Sequence, residues 1–168
     1  MKYAAGMFRK GFTLIELLIV IALLGALAVG LLATIDPFEQ LKKGRDTSSR
    51  NTVSEFYNSN LRYYAIRSEF PWGTNATSGS LDTMTTFIQT LVDAGELKER
   101  FVDLIGTNQL RNIWINSTSR EHLAVCFDPE SKSFEVDLNT IYDQSGATGQ
   151  TDCKALGGAD RACFFCIQ

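Results

Sequence analysis

RKGFTLIELLIVIALLGALAVGLLATI, residues Arg9–Ile35, is the most informative run in this 168-residue chain. From Phe12 to Ile35 its only charge is Glu16, and its only other polar side chains are Thr13 and Thr34. As a helix these 24 residues span roughly 36 Å, enough to cross a bilayer. Lys2, Arg9 and Lys10 precede the run with no acid among them. Under the positive-inside rule the N-terminus stays cytoplasmic and the remainder lies outside. A secretory signal peptide has an apolar stretch of only ~7–15 residues before a small-residue cleavage site. Ala26-Leu27-Ala28 offers such a site, but the run is too long and Glu16 does not suit it. A plain single-pass anchor fits the length and leaves Glu16 unexplained. A carboxylate at membrane depth costs a few kcal/mol, so it marks a function and calls for a partner. The competing reading is that Glu16 snorkels to the interface near the helix end.

The segment GFTLIELLIVIALLGALA, from Gly11 to Ala28, resembles the N-terminal signature of type IV prepilins and of the pseudopilins of type II secretion. The shared pattern is a short basic leader ending in Gly, then Phe-Thr-Leu-hydrophobic-Glu, then an apolar helix. The resemblance implies that a membrane-embedded prepilin peptidase cuts between Gly11 and Phe12 and N-methylates Phe12. It makes Glu16 the fifth mature residue, and Thr13 and Glu16 the residues of assembly. In the family that carboxylate pairs with the N-terminal amine of a neighbouring subunit. Both groups are stranded in hydrocarbon, and an unpaired buried charge is strongly unfavourable. The implied partners are the peptidase, identical or related pilin subunits, an inner-membrane assembly platform and its ATPase. The implied location is a single-pass inner-membrane protein that passes into an extracellular pilus or a periplasmic pseudopilus. Pilus and secretion pseudopilus remain open, as does a membrane-anchored binding domain with the helix as a tether.

The net charge is −3, and without the first eleven residues it is −6, with 13 Lys+Arg against 19 Asp+Glu. Such a balance gives no electrostatic footprint for nucleic acid. The single histidine, His122, has no second His and no nucleophile motif with it, so no enzyme is expected.

Four segments follow: a leader over 1–11, a transmembrane and assembly helix over 12–35, an amphipathic half of the same spine over 36–67, and a head over 68–168. Asp36-Pro37 suits the start of a second helical part or a kink. Phe38, Leu41, Arg45, Ser49, Val53, Phe56, Asn60, Tyr63 and Tyr64 then recur at helical spacing. Ser68–Ser80 reads as loop from its Pro, Gly and Ser content. Leu81, Met84, Ile88, Leu91 and Val92 mark a short helix stopped at Gly95. Three strands are expected, over Gln109–Asn116, His122–Asp128 and Phe134–Leu138, the last two joined by the turn DPESKS. From Asn139 the chain reads as a loop-like tail. The fold class is α+β and pilin-like: a long N-terminal spine helix packed on a small antiparallel sheet, with a disulfide-stapled C-terminal loop. The aromatics Tyr63, Tyr64, Phe70 and Trp72 read as core.

Cys126, Cys153, Cys163 and Cys166 make an even count, which in a head outside the cytoplasm reads as two disulfides. Three pairings are open. Cys126–Cys166 with Cys153–Cys163 is preferred, because the first ties the C-terminus to a strand. Cys163-Phe164-Phe165-Cys166 lacks the βαβ setting of a redox motif, and a four-cysteine zinc site wants two close pairs. No cofactor is required. Major pseudopilins hold calcium in a C-terminal loop, so the resemblance makes Asp137, Asn139, Asp143, Asp152 and Asp160 candidate calcium ligands, although their spacing is not that of an EF-hand.

Overall fold

The structure is a computed structural model that describes residues 11–34, 36–119, 121–147 and 163–168. The chain divides into two compact units, Met1–Pro37 and Phe38–Gln168. The first holds helix α1, Leu14–Thr34. Its side chains from Leu14 to Leu32 are exposed on every face. The span Leu14–Leu32 is the one helix among the described residues long and apolar enough to cross a membrane. An all-round apolar helix has no inward stripe, so it suits a lipid or helix-bundle environment rather than a soluble surface. Asp36 lies outside both α1 and the next helix, α2 (Pro37–Arg67), so the chain takes the divided form of the spine. Pro37 stands at the first position of α2, where its missing N–H has no intrahelical role.

The second unit is built on α2. Val53, Phe56 and Tyr63 form its inward face. Polar residues share that face: Thr52, Ser59 and Asn60 are buried and turn to the helix's own carbonyls. Thr52 donates to Ser48 O at 3.0 Å, Ser59 to Phe56 O at 2.7 Å, and Asn60 Nδ2 to Phe56 O at 2.8 Å. Such back-bonding lets a polar residue enter a core without an unpaired donor. The inward face begins later than the spacing suggests, since Phe38 and Leu41 are 74% and 65% exposed. It starts at Asp46, which is buried and holds a distant turn: its carboxylate accepts from Glu130 N at 2.9 Å and Ser131 N at 2.7 Å.

The sheet has four antiparallel strands in the order β1-β2-β3-β4: β1 Thr77–Ser80, β2 Ile113–Ser119, β3 His122–Phe127 and β4 Phe165–Ile167. Strand alternation puts Ile113, Ile115, Val125, Phe127 and Phe165 on one face, in the main core with α2. The opposite face carries Trp114, Ala124, Cys126, Cys166 and Phe164 in a second, smaller cluster with Tyr142. A 3-10 turn, Leu81–Thr83, and helices α3 (Thr85–Asp93), α4 (Phe101–Ile105) and α5 (Thr107–Arg111) close the core between β1 and β2. Gly95 ends the α3 segment with φ +77, as its composition suggests. Phe70 and Trp72 are core: their rings stack at 5.0 Å, and the Trp72 indole donates to Ser117 Oγ at 3.3 Å.

Four segments depart from the sequence reading. Thr77–Ser80, at the end of the presumed loop, is strand β1, paired with β2. The first half of Gln109–Asn116 falls in α5, and the strand runs from Ile113 to Ser119. Phe134–Leu138 is not a strand. Helix α6, Lys132–Glu135, occupies its start, and only Phe134 of the alternating trio is buried, Val136 and Leu138 being 61% and 78% exposed. The tail ends in β4, which completes the sheet. Between α6 and β4 the chain crosses the outer sheet face at Gly146, where φ is +78 and a Cβ would come 2.5 Å from Ala124 Cβ. Only glycine meets both conditions.

Candidate functional site: the start of helix α1

Gly11, Phe12 and Thr13 precede α1 and are not helical. Phe12 is 78% exposed. A Cβ built on Gly11 meets nothing within 4 Å, so packing within the described residues makes no demand for glycine there. Gly11 and Phe12 therefore stand ahead of the first turn, non-helical and unpacked among the described residues.

Thr13 and Glu16, three residues apart, come together. Thr13 Oγ1 accepts from Glu16 N at 3.3 Å, and Glu16 Oε2 accepts from Thr13 N at 2.9 Å. The Thr13 hydroxyl also donates to Oε2 at 2.8 Å. This is a capping box: the N-cap hydroxyl satisfies a first-turn N–H while the acid three residues on satisfies the N-cap N–H. A helix start leaves four backbone N–H groups without intrahelical partners, and hydrocarbon provides no water for them. The carboxylate also sits where the helix dipole favours negative charge. Glu16 thus has a partner within its own chain, which the sequence reading did not foresee. The signal was present, because Thr-x-x-Glu ahead of an apolar run is the capping-box pattern. Both Thr13 bonds fall on Oε2.

The cysteines fall as preferred where they are described. Cys126 and Cys166 form a disulfide across the β3–β4 pair, with Cα atoms 4.1 Å apart. Cys163 is also disulfide-bonded, and Cys153, its expected partner, lies outside the described residues. The sulfurs of Cys163 and Cys166 belong to different bonds, so the CFFC segment is not a closed redox pair.

Of the calcium candidates, Asp152 and Asp160 lie outside the described residues. Asp137 Oδ1 accepts from Asn139 N at 2.9 Å and Asn139 Nδ2 at 3.2 Å. Asp143 Oδ1 accepts from Ser145 N at 2.8 Å, Ser145 Oγ at 2.5 Å and Ala147 N at 3.0 Å. These bonds, that from the Ser145 hydroxyl foremost, hold the Asp143 carboxyl below its ordinary range. Each carboxylate is thus engaged in its own turn, and the described residues contain no group of three or more His, Cys, Asp or Glu arranged for a metal. His122 is exposed at the start of β3, opposite Ser119.

An apolar N-terminal helix, a second helix against a four-stranded antiparallel sheet, and a disulfide at the C-terminus define a pilin-like α+β fold. The prokaryotic N-terminal methylation motif matches residues 6–32, which takes in the capping box and most of α1. That motif is the signature of type IV pilins and pseudopilins. It implies processing by a peptidase, assembly with other pilin subunits and anchoring in a membrane beforehand. No curated protein and no solved structure matches the chain.

Proposed function

We propose that this chain is the precursor of a structural subunit of a type IV pilus-like filament. A prepilin peptidase cuts after Gly11 and methylates the new amine of Phe12. The head stands outside the inner membrane while α1 anchors it. An assembly platform and its ATPase then move α1 from lipid into a bundle of like helices. Little hydrophobic free energy changes in that step, so packing and polar pairing decide it. The chain carries no catalytic role of its own. The observation that supports this reading most is the methylation motif lying across an apolar helix that retains one acid. The non-helical backbone at Gly11 and Phe12 is compatible with cleavage there. The same motif accommodates a pseudopilin of type II secretion.

The mass of the N-terminal peptide of protein from its native membrane tests the processing. The expected peptide starts at N-methylated Phe12. One starting at Met1 would leave a simple tether, and one starting near Val29 an ordinary secreted protein.

Assembly rests on Glu16 in this reading. With Oε2 engaged by Thr13, Oε1 is the oxygen we assign to the Phe12 amine of a neighbouring subunit. Substitutions separate the capping box from the charge. Glu16→Gln keeps an acceptor for Thr13 and loses the charge. It is expected to be cleaved normally and to yield few sheared filaments, as is Glu16→Ala. Wild-type filament yield from Glu16→Gln would show that capping suffices and would remove the intersubunit pair.

A further inference from the structure

The outer face of the sheet carries a cleft. Its floor is Trp114 and Asn116 of β2 with Ser78 of edge strand β1, and its wall is the turn Asp143–Ser145; its volume is about 450 Å³. That size falls in the range of roughly 300–1,000 Å³ typical of small-ligand sites. Register places these residues by necessity. Ser78 pairs with Asn116 and Ser80 with Trp114, so Ser78 and Asn116 share a face one pleat from the indole. Trp114 packs against the Ala124 and Cys126 cluster and is half-buried.

The polar groups around this ring are unused. The Trp114 indole N–H, the Asn116 and Gln144 amides and the Ser78 hydroxyl make no side-chain hydrogen bond among the described residues. Asp143 spends Oδ1 on its own turn, which holds the wall rigid, and none of those bonds takes Oδ2. An indole lining one cleft with two planar amides, a carboxylate and a hydroxyl matches a molecule with an apolar face and a rim of hydroxyls. The amides and carboxylate each offer two sites at a fixed spacing, suited to neighbouring hydroxyls. The ring supplies a large amphipathic contact surface. Among the described residues nothing cationic lines the cleft, so they offer an anionic ligand no counter-charge.

We propose that this cleft binds a neutral saccharide, stacked on Trp114 and hydrogen-bonded by Asn116, Gln144, Ser78 and Asp143. The site lies in the head and takes in no residue of α1.

The test uses the full chain in micelles of lauryldimethylamine oxide, a detergent without a sugar headgroup. Saturation-transfer difference NMR is run with maltotriose, cellotriose, laminaritriose and chitotriose. At least one is expected to bind saturably, and Asn116→Ala or Gln144→Ala is expected to weaken it by about three- to tenfold, as loss of one ligand hydrogen bond predicts. Gln144 is exposed, so its variant is expected to keep the wild-type unfolding midpoint. If Asn116→Ala unfolds, the exposed Ser78→Ala replaces it. No saturable binding of any of the four up to about 10 mM, the weak limit of useful affinity, overturns the proposal. Binding that every folded variant leaves within about twofold overturns it too.

Discussion

Replacing Cys126 and Cys166 together by serine is expected to lower the unfolding free energy of the head by about 4 kcal/mol. The bond joins residues 40 apart in sequence. A cross-link of that reach removes chain entropy from the unfolded state, and the effect grows with the logarithm of the loop. In a unit of this size such a loss lowers the melting temperature by about 10–15 °C. What the bond secures is β4, a strand of three residues that could not hold its place by backbone pairing alone. Phe165 adds to it: the ring lies 5.3 Å from Phe127 and 6.3 Å from Phe134, and is 3% exposed. Thermal unfolding of wild type and double variant, each with and without reductant, measures the effect. A loss below about 1 kcal/mol would mean that burial of these rings (roughly 1.5–3 kcal/mol for one Phe) keeps β4 in place without the bond.

Asp46→Ala carries the second large effect, a loss of about 3 kcal/mol. The side chain is 2% exposed and its two oxygens take the N–H groups of Glu130 and Ser131. Ser131 is fully buried, so water cannot replace the lost acceptor there. An unpaired buried donor carries the full desolvation penalty, larger than the net worth of an ordinary hydrogen bond. One term opposes this. Burial, and then the charges of Asp46, Glu135 and Glu130, raise the Asp128 carboxyl, and removing Asp46 relieves part of that repulsion. Asp46→Asn retains one good acceptor and should lose about half as much. Denaturant unfolding at neutral pH gives both values. Equal stability of Asp46→Ala and wild type would show that the turn after β3 is held by its own contacts, such as Phe134 against Phe127.

The same clamp explains part of what the sequence does not disclose. Phe134, Val136 and Leu138 alternate as a strand does, yet the chain entering them is tied to α2 by Asp46 and by Glu39, which accepts from Lys132 N at 2.6 Å. Those ties come from residues about ninety positions away, and no local pattern contains them. Strand β1 is hidden for the opposite reason. Thr-Ser-Gly-Ser has loop composition and is a strand because the β2 edge offers hydrogen bonds to it. By contrast α1 and the β3 segment are legible, because each carries its own unbroken apolar signal. At the candidate site, membrane cost draws attention to Glu16. The expected partner is another subunit; to that the fold adds Thr13, three residues away, a contact local in sequence but not one that membrane cost points to. Gly11 and Phe12 are legible only through the motif, since among the described residues nothing packs on Gly11 and Phe12 is exposed.

The sheet ends in β1, four residues long and rich in Ser and Gly, and in β4, three residues long and pinned by sulfur. Unpaired strand edges are templates on which one protein recruits the next, and short edges blunt that tendency. Copies of this head crowded side by side therefore have little strand with which to zip together by accident. In the filament proposed above, self-association would then rest on the apolar N-terminal helix rather than on strand edges.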